Sequence, residues 1–207
     1  RSNIGLYFFK SFNYYAHMFA YKNKYFLIIQ SIKDIDLKNI KKRNKFSIIY
    51  RNKNNLENMS DLLNFRRFCK EKSIKFYVAN NAKLAVLLNS DGVYLSSFNK
   101  NLRSLSLKRP NFKLIGSAHN SKEIFLKIKQ GCKEILFSKL FLVNYNKKAQ
   151  FLGVVKFNNY LKISKNLIPL GGITMNNLNN INVINCKGLA LLSEVKKKPA
   201  KIFSRLF

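Results

Sequence analysis

The chain has 207 residues, 47% hydrophobic and 14% aromatic, enough for one domain with a large core and too apolar for a disordered chain. Lys and Arg number 39 against 9 Asp and Glu, a net charge of +30. Such a field concentrates anions near the surface, but the basic residues are spread along the chain and the longest run is only Lys196-Lys197-Lys198, so no dense nucleic-acid-binding arm is present. The three cysteines, Cys69, Cys132 and Cys186, lack the spacing of a zinc clip or redox pair and read as buried apolar residues.

Residues Ile4–Tyr21 are aromatic but carry Lys10, Asn13 and His17, and are too polar and short to span a bilayer. They lack the continuous apolar run and cleavage site of a secretory signal, so a cytoplasmic location follows by default. Residues 1–22 read as a helical extension on a domain running from 23 to 207, with a membrane-surface helix as the alternative.

Tyr25–Gln30 (YFLIIQ) predicts a first strand. Asp34 to Lys42 predicts a short polar helix with Ile35 and Ile40 inward, and Phe46–Tyr50 a second strand ending in Arg51-Asn52-Lys53. Apolar residues from Leu56 to Cys69 recur at helical spacing, predicting a helix through Lys72. Ile74–Ala79 is a third strand, ending in Asn80-Asn81, then a short helix from Ala82 to Leu88. Gly92–Leu95 is a fourth strand, followed by Ser96-Ser97-Phe98-Asn99.

Phe112–Ile115 is a fifth strand, with Gly116-Ser117-Ala118-His119 leaving it. Asn120 or Ser121 caps a helix that ends at Gly131. Glu134–Ser138 is a sixth strand, and Lys139 to Phe151 a long basic loop before a helix from Gly153 to Lys162. The seventh strand is the short run Leu167–Leu170 before Gly171-Gly172; Asn176 to Ile181 forms one or two helical turns. Gly188–Leu192 is the eighth strand, ending on Ser193, and Ala200 to Phe207 a closing helix.

Continuous apolar strands alternating with helices predict a parallel sheet buried on both faces, and eight units over this length predict an α/β fold of the (β/α)8 barrel (TIM barrel) type. An open doubly wound sheet is the alternative, but Gln30-Ser31-Ile32-Lys33 lacks its glycine fingerprint. In such a barrel the chemistry sits beyond the strands' C-terminal ends. Those positions hold Arg51, Lys53, Asn80, Asn81, Asn99, Ser117, His119, the 139–148 loop with Lys147, Gly171, Gly172 and Ser193, a cationic, amide-rich set without a convergent carboxylate. Arg51 and Lys53 suit phosphate oxygens, as a bidentate fork and a point charge, and the Gly171-Gly172 turn with Ser193 suits a phosphate cradle. Asn80 and Asn81 also fit ordinary turns, and His119 an ordinary strand-end histidine.

These segments resemble the thiamine phosphate synthase and TenI superfamily. Gly116–His119 resembles its GxSxH turn, Leu170–Ile173 and Gly188–Ser193 its ALGGI and GxAxxS phosphate cradle, Asp91–Leu95 its DGVHL strand and Arg51–Lys53 its REK motif. Ser138 to Gly153 is similar without gaps to its GPVFPTxxK loop and following LG. The resemblance implies coupling of hydroxymethylpyrimidine diphosphate to a thiazole phosphate through a pyrimidine cation, with Mg²⁺ and cationic side chains stabilising the departing pyrophosphate. It implies diphosphate binding at Arg51 and Lys53 with Ser117 nearby, and thiazole phosphate binding at Gly172 and Ser193.

The departures fall in one half of the site. The family's magnesium aspartates fall at Asn81 and Asn99, and neutral amides are poor magnesium ligands, so no metal ligand is assigned. Its Gln falls at Ile49, its loop threonines at Val143 and Tyr145, and its loop lysine at Asn146, beside Lys147 and Lys148. The sequence thus implies phosphorylated small-molecule partners and a divergent synthase-like transferase. A TenI-like protein that binds or tautomerises a thiazole phosphate is the alternative, and a nucleic-acid-binding barrel is the reading from another class.

Overall fold

The computed structural model describes residues 24–40, 43–52, 57–102, 111–143, 150–174 and 176–192. The expected 1–22 extension, the 200–207 helix, Lys53, Lys147 and Ser193 lie outside the described residues. Eight parallel strands close into a ring in chain order. β1 (Lys24–Ile29) pairs with β2 (Phe46–Tyr50) on one side and β8 (Gly188–Leu191) on the other. Between them run β3 (Lys75–Ala79), β4 (Gly92–Leu95), β5 (Lys113–Ala118), β6 (Glu134–Ser138) and β7 (Leu167–Leu170). Helices α1 (Met59–Glu71), α2 (Ala82–Leu87), α3 (Ser121–Lys129) and α4 (Gly153–Ile163) follow β2, β3, β5 and β6. This is the (β/α)8 barrel expected from the apolar runs.

The period-two alternation of a strand sorts the core into two shells. Phe26, Ile28, Ile49, Tyr77, Tyr94, Ile115, Leu136, Ile168 and Ala190 fill the barrel interior. The larger shell, including Leu27, Ile48, Phe76, Phe137 and Leu189, packs outward with Phe65, Ile124 and Phe157. Both faces of each strand are therefore dry, which is why the strands read as unbroken apolar runs.

Two expectations need correction. The segment expected as a helix from Asp34 to Lys42 instead forms 3₁₀ turns at Ile32–Asp34 and Leu37–Asn39. The Asp34 carboxylate accepts from the amides of Gln30 and Ser31, and Asp36 from that of Lys38. These local bonds cap short turns in competition with a continuous helix, and Ile35 between them is extended. Ile35 and Ile40 are buried as expected. The second correction concerns β5, which does not end at Ile115 but continues through Ala118. Ser117 and Ala118 pair with Leu136 and Phe137 of β6, so Ser117 belongs to the barrel wall and not to a turn.

The end of the barrel opposite the mouth is held by Asp91, on the turn into β4. Its carboxylate accepts from the Phe76 amide at 2.9 Å and pairs with Lys75 at 2.9 Å and Arg66 at 3.1 Å. Gly92 follows because β5 passes close: a Cβ there would lie 1.8 Å from the Lys113 carbonyl oxygen. The Asp-Gly start of the DGVYL run is thus scaffold.

At the mouth end, Glu57 joins the exits of β1 and β2. It accepts from Ser31 Oγ at 2.6 Å, from the Ile32 amide at 2.8 Å and from the Tyr50 hydroxyl. Asn52 donates to Tyr50 Oη at 2.8 Å and also contacts Glu57. Asn52 and Glu57, flanking residues 53–56, are therefore tied at their base. Burial pushes the Glu57 carboxyl up, but the bonds from Ser31, Tyr50, Ile32 and Asn52 outweigh it and hold its pKa below the usual value.

Two outcomes follow from these anchors. Gly92→Ala forces β4 and β5 apart and lowers unfolding stability by roughly 1–3 kcal/mol, the usual cost of overpacking, in urea melts at neutral pH. Because the folded-state pKa of Glu57 is depressed, its stabilisation is complete above the unfolded carboxyl pKa of about 4.3 and is lost as pH falls below it. Glu57→Gln is therefore less stable than the parent at neutral pH, and urea midpoints of the two converge on acidification.

Candidate active site at the strand ends

Arg51 lies two residues beyond inward-facing Ile49, and its amide extends the ladder by donating to the Ile29 carbonyl at 2.8 Å. Ser117 lies two residues beyond inward-facing Ile115 and is buried. Both converge on Tyr94 of β4. Burial pushes the Tyr94 hydroxyl up, while hydrogen bonding with Ser117 and the positive charge of Arg51 pull the other way. The predicted pair Arg51 and Ser117 therefore meets at the inner rim, with Tyr94 beneath it. Sequence reading missed Tyr94, although its period-two offset from Gly92 marks an inward position.

The exits of β6 and β7 form the opposite rim. Gly171 and Gly172 have φ of 95° and 68°, conformations that disfavour a side chain. The β6 exit lies directly over them. Leu140 donates to the Leu170 carbonyl at 2.9 Å and Phe141 to that of Gly171 at 3.0 Å. A Cβ on Gly172 would stand 2.5 Å from the carbonyl oxygens of both Phe141 and Leu142. Asn177 fixes the far side: its Nδ2 donates to the Gly172 carbonyl at 2.7 Å, and its Oδ1 accepts from the Thr174 amide at 2.8 Å. The Gly172 amide has no acceptor among the described residues, while the β7–β8 pairing turns that of Gly171 toward the Ala190 carbonyl. β7 pairs with β8 at Leu170 and Ala190, so the Gly171-Gly172 turn and Leu192 leave adjacent strands at one end of the barrel. A free amide on a locked turn suits an anion.

His119 is exposed at the end of β5. Its amide donates to Glu123 Oε2 at 2.7 Å, and its Nδ1 lies 2.8 Å from Ser138 Oγ. Asn120 accepts from the Glu123 amide at 3.0 Å, so His119 is anchored at the start of α3 and in turn orients Ser138.

Asn80 and Asn99 form a neutral network, and Asn81 is a helix cap. Asn80, with φ of 55°, accepts at Oδ1 from the Ser96 amide at 3.0 Å and donates to Ser96 Oγ at 2.9 Å. Asn99 Nδ2 donates to Asn80 Oδ1 at 3.1 Å, while Asn99 Oδ1 accepts from the Asn101 amide at 3.0 Å. Asn81 caps α2 by accepting from the Leu84 amide at 2.9 Å. The amide oxygens at both positions where the family's magnesium aspartates fall are thus uncharged and engaged by backbone amides. No group of three or more His, Cys, Asp or Glu clusters for a metal among the described residues. This donor set does not fit Mg²⁺, which favours carboxylates and waters in octahedral geometry.

No helix among the described residues is long and apolar enough to cross a membrane. In comparison with solved structures, thiamine phosphate pyrophosphorylase from Pyrococcus furiosus superposes with a TM-score of 0.72 at 16% identity, covering 91% of this chain and 95% of that one, which is a likeness of fold. Thiamine-phosphate synthase of Flavobacterium psychrophilum is 26% identical over 151 residues, 68% of this chain and 73% of that protein. Thiamine-phosphate synthase of Prochlorococcus marinus strain AS9601 is 27% identical over 144 residues, 67% of this chain but only 40% of that protein. The sequence profile described as thiamine monophosphate synthase matches residues 35–195. A match over that span of a closed eight-strand barrel means that the chain belongs to the thiamine monophosphate synthase and TenI family.

Proposed function

We propose that the barrel mouth binds the phosphate of a thiazole phosphate and works as a divergent synthase-like enzyme, joining it to hydroxymethylpyrimidine diphosphate with loss of pyrophosphate. The observation that carries this reading is the locked Gly171-Gly172 turn, whose Gly172 amide has no acceptor among the described residues. A phosphate oxygen answers that donor. Arg51 on the opposite rim supplies a second anion contact near Ser117 and Tyr94.

In the condensation, the bond between the pyrimidine methylene and the diphosphate oxygen breaks, and its electron pair leaves with the pyrophosphate. Arg51 stabilises the charge gathering on those oxygens, as preorganised donors do in a dry site. The thiazole nitrogen then donates its lone pair to the pyrimidine cation. No step here passes through a metal ion, because the asparagine donors do not suit one. Lys53, Lys147 and Ser193 remain part of the proposal from sequence alone, with Lys147 and Lys53 offering further cations and Ser193 a hydroxyl on the β8 side of the cradle.

A second reading has its own support. With Asn81 capping a helix and Asn99 bonded to Asn80 and Asn101, the diphosphate half lacks charged ligands on these strands. That favours a TenI-like role in which thiazole phosphate binds or tautomerises without condensation.

One experiment separates the readings: calorimetry with thiazole phosphate, and product formation with both substrates, each in Mg²⁺ and in EDTA. Binding with condensation that persists in EDTA supports the first; binding without condensation supports the second; neither binding nor turnover overturns both. On the first reading Arg51→Ala distinguishes the roles of the two rims. It lowers kcat/KM of the condensation by about 10- to 100-fold, the loss of one charged hydrogen bond, while leaving thiazole phosphate affinity within about 3-fold. Gly172→Ala, by contrast, weakens thiazole phosphate binding itself in the same titration.

A further inference from the structure

Lys127 has no place in the chemistry above, yet it is fully buried. It occupies the apolar stripe of α3, one turn beyond Ile124. Among the described residues no carboxylate forms an ion pair with its ammonium. Its Nζ donates to the Asn99 carbonyl at 2.7 Å and to Gln130 Oε1 at 2.9 Å. Gln130 Nε2 donates to the same Asn99 carbonyl at 3.0 Å and to that of Asn101 at 2.8 Å. Two side chains of the α3 end therefore grip the β4 exit loop through its backbone. Burying an ammonium is costly unless its donors are satisfied, and an aliphatic residue would fill this stripe more simply.

The β5 strand is shaped to admit the lysine. A Cβ on Gly116 would lie 2.9 Å from Lys127 Cδ and Cγ and 3.0 Å from Cys132 Sγ. The Gly116 preceding Ser117 is thus bare so that the lysine stem can cross the strand. Burial pulls the Lys127 pKa down, with Cys132 and Glu123 opposing. The loop it holds carries Asn99, whose amide reaches Asn80 and through it Ser96.

We propose that Lys127 is a positioning residue for the barrel mouth: together with Gln130 it holds the β4 exit loop so that Asn99 stays bridged to Asn80. An internal ammonium gripping carbonyls thereby organises this rim. The consequence for ligand binding rests on this rim being the diphosphate half of the proposed site, whereas the consequence for the loop does not.

The test uses Lys127→Met and Lys127→Arg, each alone and with Asn99→Ala, and Gln130→Met as an independent cut in the same grip. Amide hydrogen exchange reads the loop, and calorimetry with hydroxymethylpyrimidine diphosphate reads the site. Lys127→Met speeds exchange at residues 96–101 by about 10-fold or more, leaves β6 and α4 protected, and is partly rescued by Lys127→Arg. It weakens binding of hydroxymethylpyrimidine diphosphate by about 10-fold in the parent and by less than about 2-fold with Asn99→Ala, because the effect runs through that residue. Unchanged exchange at 96–101 in both Lys127→Met and Gln130→Met overturns the proposal. So does an equal affinity loss with and without Asn99→Ala. If Lys127→Met does not fold, Gln130→Met alone decides on the same two readouts. If the parent protein fails to bind hydroxymethylpyrimidine diphosphate, the ligand reading falls, and loop exchange still decides the role of Lys127.

Discussion

The mouth of this barrel depends on backbone lying against backbone where β6 and β7 leave the ring. With the carbonyls of Phe141 and Leu142 only 2.5 Å from where a Cβ would stand, position 172 has no room for a side chain. The hydrogen bonds from Leu140 and Phe141 to Leu170 and Gly171 then lock the two exits together. A turn held on one side by a neighbouring loop and on the other by Asn177 has little freedom left to lose. Its amides point where they do before any ligand arrives, and preorganisation of that kind converts weak dipoles into useful affinity. Side-chain chemistry elsewhere on the rim can drift while this cradle persists, because no side chain builds it.

The electrostatics follow from how few carboxylates the chain has and where they sit. Asp34 and Asp36 cap turns, Glu57 ties the β1 and β2 exits, and Asp91 holds the base of β3 and β4. Glu123 closes the start of α3, and Glu134 pairs with Lys24 at 3.1 Å. Each of these acids serves the scaffold, and none faces the pairing of Arg51, Ser117 and Tyr94. The mouth's cations, amides and free N–H group, in a chain of net charge +30, attract anions, and the carboxylates at its edge, Glu57 and Glu123, are already engaged by hydrogen bonds.

The fold was legible because burial on both faces makes each strand a solid apolar run. The site was legible where backbone demands show through as residue type: Gly171-Gly172 needed positive φ, and a glycine pair announces it. It was less so where local hydrogen bonding decides. The segment from Asp34 onward has a helical spacing of apolar residues, but the carboxylates at 34 and 36 turn back on nearby amides and divide it. Gly116 and Ser117 read as a turn because glycine and serine favour turns, whereas here the glycine makes room for a lysine stem and the strand runs on. Lys127 and Glu57 left little sign. A lysine in an apolar stripe is ordinarily a surface residue with its head in solvent, and only tertiary placement reveals a buried head. Glu57 precedes a helix, where an acid is expected on dipole grounds alone, and its bonds to Ser31 and Ile32 cross to another strand.

The asparagine network also explains why the loss of carboxylates at positions 81 and 99 is internally consistent. An amide carries both a donor and an acceptor, so Asn99 can give its N–H to Asn80 Oδ1 and accept from Asn101 with the same group. Asn80 cannot reverse its role, because its Oδ1 is already held by the Ser96 amide. A carboxylate at position 99 would set acceptor against acceptor, and the bridge between the β3 and β4 exits would need a cation to close it. With amides the bridge closes by itself, and the loop is gripped from below by Lys127 and Gln130. Restoring one aspartate would therefore break a hydrogen bond before it made a metal site, since the Asn81 oxygen is turned toward its own helix. The neutral rim is a coupled state of several residues, and a return to metal chemistry would have to change them together.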